Sequence, residues 1–482
     1  MSNAIDVDPT VESSSSGVIP VFDPSTEEQI AEVADSDQAT VDAAVARARE
    51  TFESGAWRKL PAAHRAEVLF RAAEIIRGRI DEIAEIEARD NGMNAMAARQ
   101  IIKVSLEMLV YYAGWVGKIH GESSHLVSDG LLGEFETYHT FTQYEPVGVV
   151  GLIIPWNGPF FVAMLKVAPA LAAGCSCVLK PAEETPLSAL KLEEIFREAG
   201  LPDGVLNVVT GYGETTGAAL TAHPDVDKIA FTGSTEVGKL IVKAAAGNLK
   251  RLTLELGGKS PLIMFDDADL DKAIMGAGMG LLAGSGQNCS CTSRIYVQRG
   301  IYDRVVEGLA AFAKMLPMGG SDDPNSVLGP LISEKQRQRV EGIVNDGVAG
   351  GAEIVTGGKP MDRRGYFYEA TIVTGTTPDM RLIREEIFGP VGSVIPFDDE
   401  DEVIAAANDT HYGLAGSIWT ENLGRAHRVV NELRAGQIWV NSALAADPSM
   451  PICGHKQSGW GGERGKKGLE SYFNIKSVYI GH

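Results

Sequence analysis

The stretch Ser285-Gly-Gln-Asn-Cys-Ser-Cys-Thr-Ser-Arg294 sets two of the chain's five cysteines one residue apart. Four chemistries suit such a pair: a metal clip, a disulfide, buried packing or a nucleophile. Zinc sites join a C-x2-C pair to a second pair of Cys or His, and none stands nearby, so no metal is expected. A Cys-x-Cys disulfide would be strained. A buried thiol and a nucleophile remain open. The nucleophile would need a thiolate, an oxyanion donor and a group that discharges the covalent intermediate.

Residues with those abilities stand at the ends of short apolar runs. Leu252-Thr-Leu-Glu-Leu-Gly-Gly alternates so that the leucines share one face and Glu255 takes the other. Glu255 reads either as a general base beside glycines that admit close approach, or as a carboxylate on the wet face of a strand. Asn157 ends the run Ile153-Ile-Pro-Trp-Asn157, Lys180 and Glu183 follow Val178-Leu179, and Ser234 follows Phe231-Thr-Gly233 just before a helix. A Lys and a Glu there can hydrogen-bond ribose hydroxyls, and free N–H groups near Ser234 can meet a pyrophosphate; the plain alternative is a solvated pair beside ordinary caps. Gly211-Tyr-Gly213 lacks the G-x-G-x-x-G spacing and reads as a turn.

The elements that must position these residues follow from periodicity. The first third is helical in pattern, as in Val41–Glu50 and Ala66–Ile76. From Val147 the pattern becomes short apolar runs (Val147–Ile154, Ser176–Leu179, Val205–Val209, Lys228–Phe231) alternating with helices, and a second such stretch starts at Leu262. One helix is expected over Pro186–Ala199, with Thr185 as N-cap and Gly200 at its end. Alternation of this kind predicts an α/β fold with a doubly wound parallel sheet and a second α/β domain, ligands lying beyond the carboxyl ends of the strands.

Composition bounds the partners. The chain has 482 residues, 64 acidic against 43 basic, for a net charge of −21. Nucleic acid and anionic membranes are poor partners for such a surface. The acidic, Ser-rich start (1–17) carries no basic apolar segment and reads as disordered, and runs such as Val147–Trp156 are too short to span a bilayer. A cytoplasmic protein with reduced thiols is expected.

Seven stretches together resemble the aldehyde dehydrogenase superfamily, over nearly the whole chain from about Pro20: Pro155-Trp-Asn157, Lys180-Pro-Ala-Glu183, Phe231-Thr-Gly-Ser-Thr-Glu236, Leu254-Glu-Leu-Gly-Gly-Lys-Ser-Pro261, Gly286-Gln-Asn-Cys289, Glu385-Glu-Ile-Phe-Gly-Pro-Val391 and Trp439-Val-Asn441. The resemblance implies NAD(P)-dependent oxidation of aldehydes to acids, with Cys289 rather than Cys291 as nucleophile, Glu255 as base and Asn157 as oxyanion donor. It implies cofactor contacts at Ile154, Pro155, Trp156, Lys180, Glu183, Gly213, Phe231, Gly233, Ser234, Val237 and Leu256, with Glu386 and Phe388 at the nicotinamide end. A carboxylate at Glu183 facing the adenosine ribose would repel a 2′-phosphate, so NAD is expected over NADP. The implied fold is a Rossmann-like cofactor domain (18–120 and 145–256), a catalytic domain (257–455) and a small β oligomerisation segment (121–144 and 456–482) that makes a homodimer or homotetramer.

Departures from the family pattern bear on the substrate. Gly158, Leu165 and Ala446 stand where relatives acting on small aldehydes tend to be aromatic, and Pro451-Ile-Cys-Gly454 replaces Pro-Phe-Gly-Gly. A tunnel lined by Gly158, Phe161, Leu165, Asn288, Ser290, Ala446 and Ile452, with Phe160 also available, should be wide enough for aromatic or terpenoid aldehydes. A betaine-type or semialdehyde substrate is the alternative. Gly284 and Gly461-Gly-Glu463 depart from the usual Asn and Gly-Arg-Glu, and Lys466 replaces an acid, so no second base is expected. A cysteine hydrolase would need a His partner that the sequence does not offer. A silent NAD-binding protein would be expected to lose Cys289 or Glu255, and an acylating dehydrogenase would pass its thioester to coenzyme A rather than to water.

Overall fold

The apolar runs after Val147 become the strands Val149–Ile153, Ser176–Lys180, Leu206–Val208, Lys228–Thr232 and Arg251–Glu255, within a residue or two of their expected limits. The first three are buried along their whole length, as parallel strands covered by helices on both faces must be. This computed structural model describes residues 17–129, 133 and 135–481; of the expected disordered start, only Gly17 lies among them, and it opens a strand.

Val149–Ile153 lies near the middle of a six-stranded sheet. Ser176–Lys180 and then Leu206–Val208 add on one side, and the chain crosses to add Lys228–Thr232, Arg251–Glu255 and the antiparallel Gly459–Trp460 on the other. The order reverses between Val149–Ile153 and Lys228–Thr232, which opens a crevice at the carboxyl ends of the strands. Register places the candidates along that edge: Ile153 pairs with both Lys180 and Phe231, and Thr232 pairs with Glu255.

A second, seven-stranded sheet runs Glu353–Thr356, Thr371–Thr374, Val391–Phe397, Arg294–Gln298, Pro261–Met264, Ala415–Trp419, Gln437–Val440, parallel except for the first. It delivers the cysteine loop, which immediately precedes Arg294. A third sheet joins Phe135–Pro146 to Ser123–Asp129 and Phe473–Gly481, all antiparallel and largely exposed. Within 456–482 only Phe473–Gly481 enters that sheet, because Gly459–Trp460 pairs with Arg251–Glu255 instead. The chain is thus α/β with two mostly parallel sheets and a small β appendage.

Two helices matter for the site. Pro159–Ala173 starts with Pro in its first turn and carries Phe161, Leu165 and Lys166. The other spans Leu187–Glu198, one residue shorter at each end than expected, and Thr185 does not cap it. Its first N–H, that of Leu187, donates instead to Asp90 Oδ2 at 2.9 Å, while the Thr185 hydroxyl has no partner among the described residues. Among the described residues no helix is long and apolar enough to cross a membrane, and no cluster of His, Cys, Asp or Glu can hold a metal ion.

Candidate active site

The cysteine loop is held from several sides. Gly284 and Ser285 have left-handed φ of 62° and 56°. Asn and Gly are the residues that tolerate this conformation best, so glycine in place of the family's asparagine keeps the turn. A Cβ on Gly286 would lie 2.1 Å from the Gly389 carbonyl oxygen. Gln287 Oε1 accepts from Ile332 N at 2.9 Å, and Asn157 Nδ2 donates to the Gln287 carbonyl at 2.8 Å. That last bond ties the end of the central strand to the residues just before Cys289.

The two thiols differ. Cys291 is buried in the core of the second sheet, its Sγ donating to the Leu281 carbonyl at 3.4 Å. Cys289 is half-buried and opens onto the crevice, with Asn288 Oδ1 3.8 Å from its Sγ; Asn288 Oδ1 also accepts from Ser290 N at 2.9 Å. Burial, with the Glu386 and Glu255 carboxylates nearby, pushes the Cys289 thiol up to about 12.

Glu255 is not on a wet face. It is 6 % exposed and neither carboxylate oxygen has a hydrogen-bond partner among the described residues. Burial raises its pKa well above the usual range and the adjacent Glu463 carboxylate raises it further, while the Lys166 charge opposes. Lys166 is fully buried and ion-paired with Glu463. The glycine pair after Glu255 allows two close approaches. A Cβ on Gly257 would meet Glu386 Oε2 at 2.4 Å, and one on Gly258 would meet the Cys289 carbonyl oxygen at 2.3 Å. Gly258 N donates to Glu386 Oε1 at 2.9 Å, and burial lifts Glu386 to about 7.

Phe388 has a left-handed φ of 56° and its ring meets Trp156 edge to face at 5.1 Å. Gln336 Nε2 holds the Phe388 carbonyl at 2.7 Å. Along the strand ends, Ile154 N donates to the Lys180 carbonyl at 3.1 Å and Lys180 Nζ reaches Glu183 at 3.1 Å. Ser234 caps helix Thr235–Ala245 by accepting from Val237 N at 3.2 Å, and a Cβ on Gly233 would sit 2.4 Å from the Phe231 ring. Leu256 lies under Gly238 of that helix. Pro155 continues the central strand's end toward Trp156. Gly213 is exposed at the start of a short turn that follows the carboxyl end of the edge strand Leu206–Val208.

This crevice fits a dinucleotide: a cation and a carboxylate at one strand end, a helix N-terminus at the switch point, and an aromatic pair with a buried carboxylate beside the thiol. The model of the Aldehyde dehydrogenase family matches residues 10–478. The chain belongs to the aldehyde dehydrogenase family. It is an NAD-dependent oxidoreductase acting on aldehydes. Its sequence is 43% identical over 471 residues to Retinal dehydrogenase 2 of Homo sapiens, covering 97% of this chain and 89% of that one. It is similar in structure to the aldehyde dehydrogenase of Bacillus cereus solved as an NAD+ complex, at 43% identity and a TM-score of 0.93, covering 96% of this chain and 93% of that chain. The betaine aldehyde dehydrogenase of Staphylococcus aureus, also with NAD+, matches at 37% identity and a TM-score of 0.93, over 98% and 92% of the two chains.

In this dehydrogenase the tunnel residues separate into two groups. A Cβ on Gly158 would meet nothing within 4 Å, so that position is open space. Phe161 is half-buried, Asn288 and Ser290 flank Cys289, and Ile452 exchanges two hydrogen bonds with Glu463, at 2.8 and 2.9 Å. Ala446 is exposed. Leu165 and Phe160 pack into the helical core, and Phe160 is fully buried with its N–H facing the Glu87 carboxylate. Glu463, the acid of the Gly461-Gly-Glu463 stretch, is the carboxylate beside Glu255, a position its sequence motif does not reveal, and Arg464, which no motif marks, covers the Phe161 ring at 5.3 Å. An acid–base pair amid the glycines of Gly461-Gly-Glu-Arg-Gly465 was the available signal.

Proposed function

We propose that this dehydrogenase oxidises a bulky aromatic or terpenoid aldehyde to its carboxylic acid, through a covalent thioester at Cys289, with NAD preferred over NADP. The observation that carries the reading is the half-buried Cys289 thiol facing the crevice with Glu255 beside it and Asn157 bonded to the residue two positions before it.

The Cys289 thiolate adds to the carbonyl carbon, and the new oxyanion takes hydrogen bonds from the second N–H of the Asn157 amide and a backbone N–H of the cysteine loop. NAD, when bound, accepts the hydride. Glu386 and Phe388 would border the nicotinamide end, while Lys180, Glu183 and the helix start at Ser234 would hold the rest. Glu255 then takes a proton from water, the hydroxide adds to the thioester carbon, and the C–S bond breaks to return the thiolate and release the acid. A desolvated carboxylate with a raised pKa and no close hydrogen bond among the described residues is a strong acceptor for that proton.

Gly158 as open space and Ala446 as a small mouth residue support a wide tunnel. A two-carbon aldehyde would lack the contacts that position its carbonyl. The betaine-type alternative is disfavoured because the Arg464 guanidinium already lies over the Phe161 ring, the aromatic face a quaternary ammonium would use. The proposed division is 18–120 with 145–256, 257–455 and an outlying sheet, with Gly459–Trp460 joined to the first part by its pairing with Leu254 and Glu255. That sheet exposes Phe135, Val127, Ile475 and Tyr479, a face suited to a dimer or tetramer. Cytoplasmic residence agrees with five free cysteines.

The test is kcat/KM for benzaldehyde, a terpenoid aldehyde, betaine aldehyde and acetaldehyde, each with NAD and NADP. The bulky aldehydes should exceed acetaldehyde by at least about tenfold, since each missing methylene contact is worth roughly 1–3 kcal/mol. Acetaldehyde coming first would reject the wide tunnel, and equal use of NADP would reject Glu183 as the discriminating group.

A further inference from the structure

Arg464 is the residue the reaction above leaves without work. It lies between strand Gly459–Trp460 and helix Gly465–Glu470, at a left-handed φ of 60°, next to Glu463. Its side chain is turned inward, with 7 % of the residue exposed and its guanidinium carbon 5.3 Å from the centre of the Phe161 ring. Among the described residues nothing accepts a hydrogen bond from this guanidinium, and its Nε is fully buried without a partner.

A buried cation without a counter-ion is costly, so the acids around it decide what it is for. Glu463 is ion-paired with Lys166 and is also the leading counter-charge felt by Arg464. Glu255, desolvated and beside Glu463, is biased toward its neutral form, and the Cys289 thiol is neutral for the same reason of burial. Asp447 lies exposed at the mouth, and its Oδ1 already accepts from the amide and hydroxyl of Ser449. One carboxylate, Glu463, thus faces two cations: it forms its ion pair with Lys166 and reaches Arg464 only through space, which leaves the guanidinium with no carboxylate bonded to it. That guanidinium lies within electrostatic reach of Cys289 and over the Phe161 ring.

We propose that Arg464 is a specificity residue that receives a carboxylate carried by the aldehyde, so that the preferred substrate is a bulky aldehyde acid and the product a dicarboxylate. The planar fork of a guanidinium matches the two oxygens of a carboxylate, and the Phe161 face beside it suits a flat hydrocarbon body. This inference rests on Cys289 as nucleophile and narrows the substrate class of the same site: the hydrocarbon part fills the space at Gly158, and the charged end meets Arg464.

The experiment compares kcat/KM for 4-formylbenzoate with that for its methyl ester, which has nearly the same shape and no charge. Wild type should favour the acid by about tenfold to a hundredfold, the worth of a hydrogen-bonded charge pair, mainly through KM. R464Q should bring the acid-to-ester ratio to about one, and R464K should restore part of it. A wild-type ratio at or below one overturns the proposal, and so does a ratio that R464Q leaves unchanged. The wild-type comparison decides alone if R464Q does not fold. If neither aromatic compound is turned over, the wide-tunnel reading fails, and 6-oxohexanoate against its methyl ester carries the same comparison. Preference for the acid there sustains Arg464 as the anion receptor, and equality overturns it.

Discussion

Replacing Glu255 by Gln removes the base while keeping its shape. Glu255 makes no close hydrogen bond among the described residues, and the Gly454 backbone N–H that approaches it can still meet the carbonyl oxygen of a Gln, so the melting temperature should hold, which serves as the control for folding. A general base contributes about 10²–10⁴ in rate, equivalent to roughly 3–5 kcal/mol of barrier. Steady turnover should fall by that factor. The Glu255 carboxylate is also one of the groups that push the Cys289 thiol up, so its loss makes the thiol easier to ionise and should not by itself weaken addition to the carbonyl. The acyl group that reaches Cys289 should therefore persist. Rapid mixing with NAD and aldehyde, followed by intact-mass measurement, should show at most one NADH per subunit and a mass increment equal to the acyl group. Multiple turnovers within tenfold of wild type would refute the role given to Glu255.

C289S should abolish NADH formation while NAD still binds, whereas C291S, whose sulfur donates to a core carbonyl, should keep most activity; a dead C291S with an active C289S would reverse the assignment. N157A removes an oxyanion donor and should cost about 10²–10³ in turnover, with a loss below tenfold counting against it. The Cys289 thiol, held up at about 12, is mostly protonated near neutrality, so kcat/KM should climb with pH as the thiolate fraction grows. A profile that is flat from about pH 6 to 9 would place the thiolate under some other control.

The sequence reveals most where a residue's neighbours in the chain are also its neighbours in space. Strands ending at Lys180, Phe231 and Glu255 were legible because apolar runs and glycines are local signals, and register then aligned their ends. Cys289 and Cys291 stay equivalent by local rules, both small and near polar residues. Only the packing of Cys291 against the second sheet separates them. Thr185 was a sound local cap, displaced because Asp90 reaches the helix start from a distant helix. The face taken by Glu255 was ambiguous because the strand that shields it, Gly459–Trp460, lies about two hundred residues later and runs antiparallel. Leu165 and Phe160 share a helix with Phe161, and which of them meets the tunnel depends on the rotation of that helix against the core. The place of Glu463 beside the base, and Arg464 altogether, stay hidden for a related reason: nothing local in a charged pair among glycines shows that the fold buries it.

The buried pair beside the base makes two opposed predictions. Lys166 lowers the pKa of Glu255 and Glu463 raises it. K166M removes the charge that favours the Glu255 carboxylate and leaves Glu463 unpaired, so Glu255 should hold its proton to higher pH. E463Q removes a like charge, so Glu255 should lose its proton at lower pH. Because Glu255 works after the substrate is bound, the kcat profile reports it, and the acidic limb should move up in K166M and down in E463Q. Breaking a buried ion pair from one side typically costs about 3–5 kcal/mol, so both variants should also melt earlier than wild type. Lower stability alone would leave the limb in place or move it the same way in both. Opposite movement of the two limbs is what electrostatic control of the base requires, and a common direction would show that the pair only holds the helix Pro159–Ala173 against the loop.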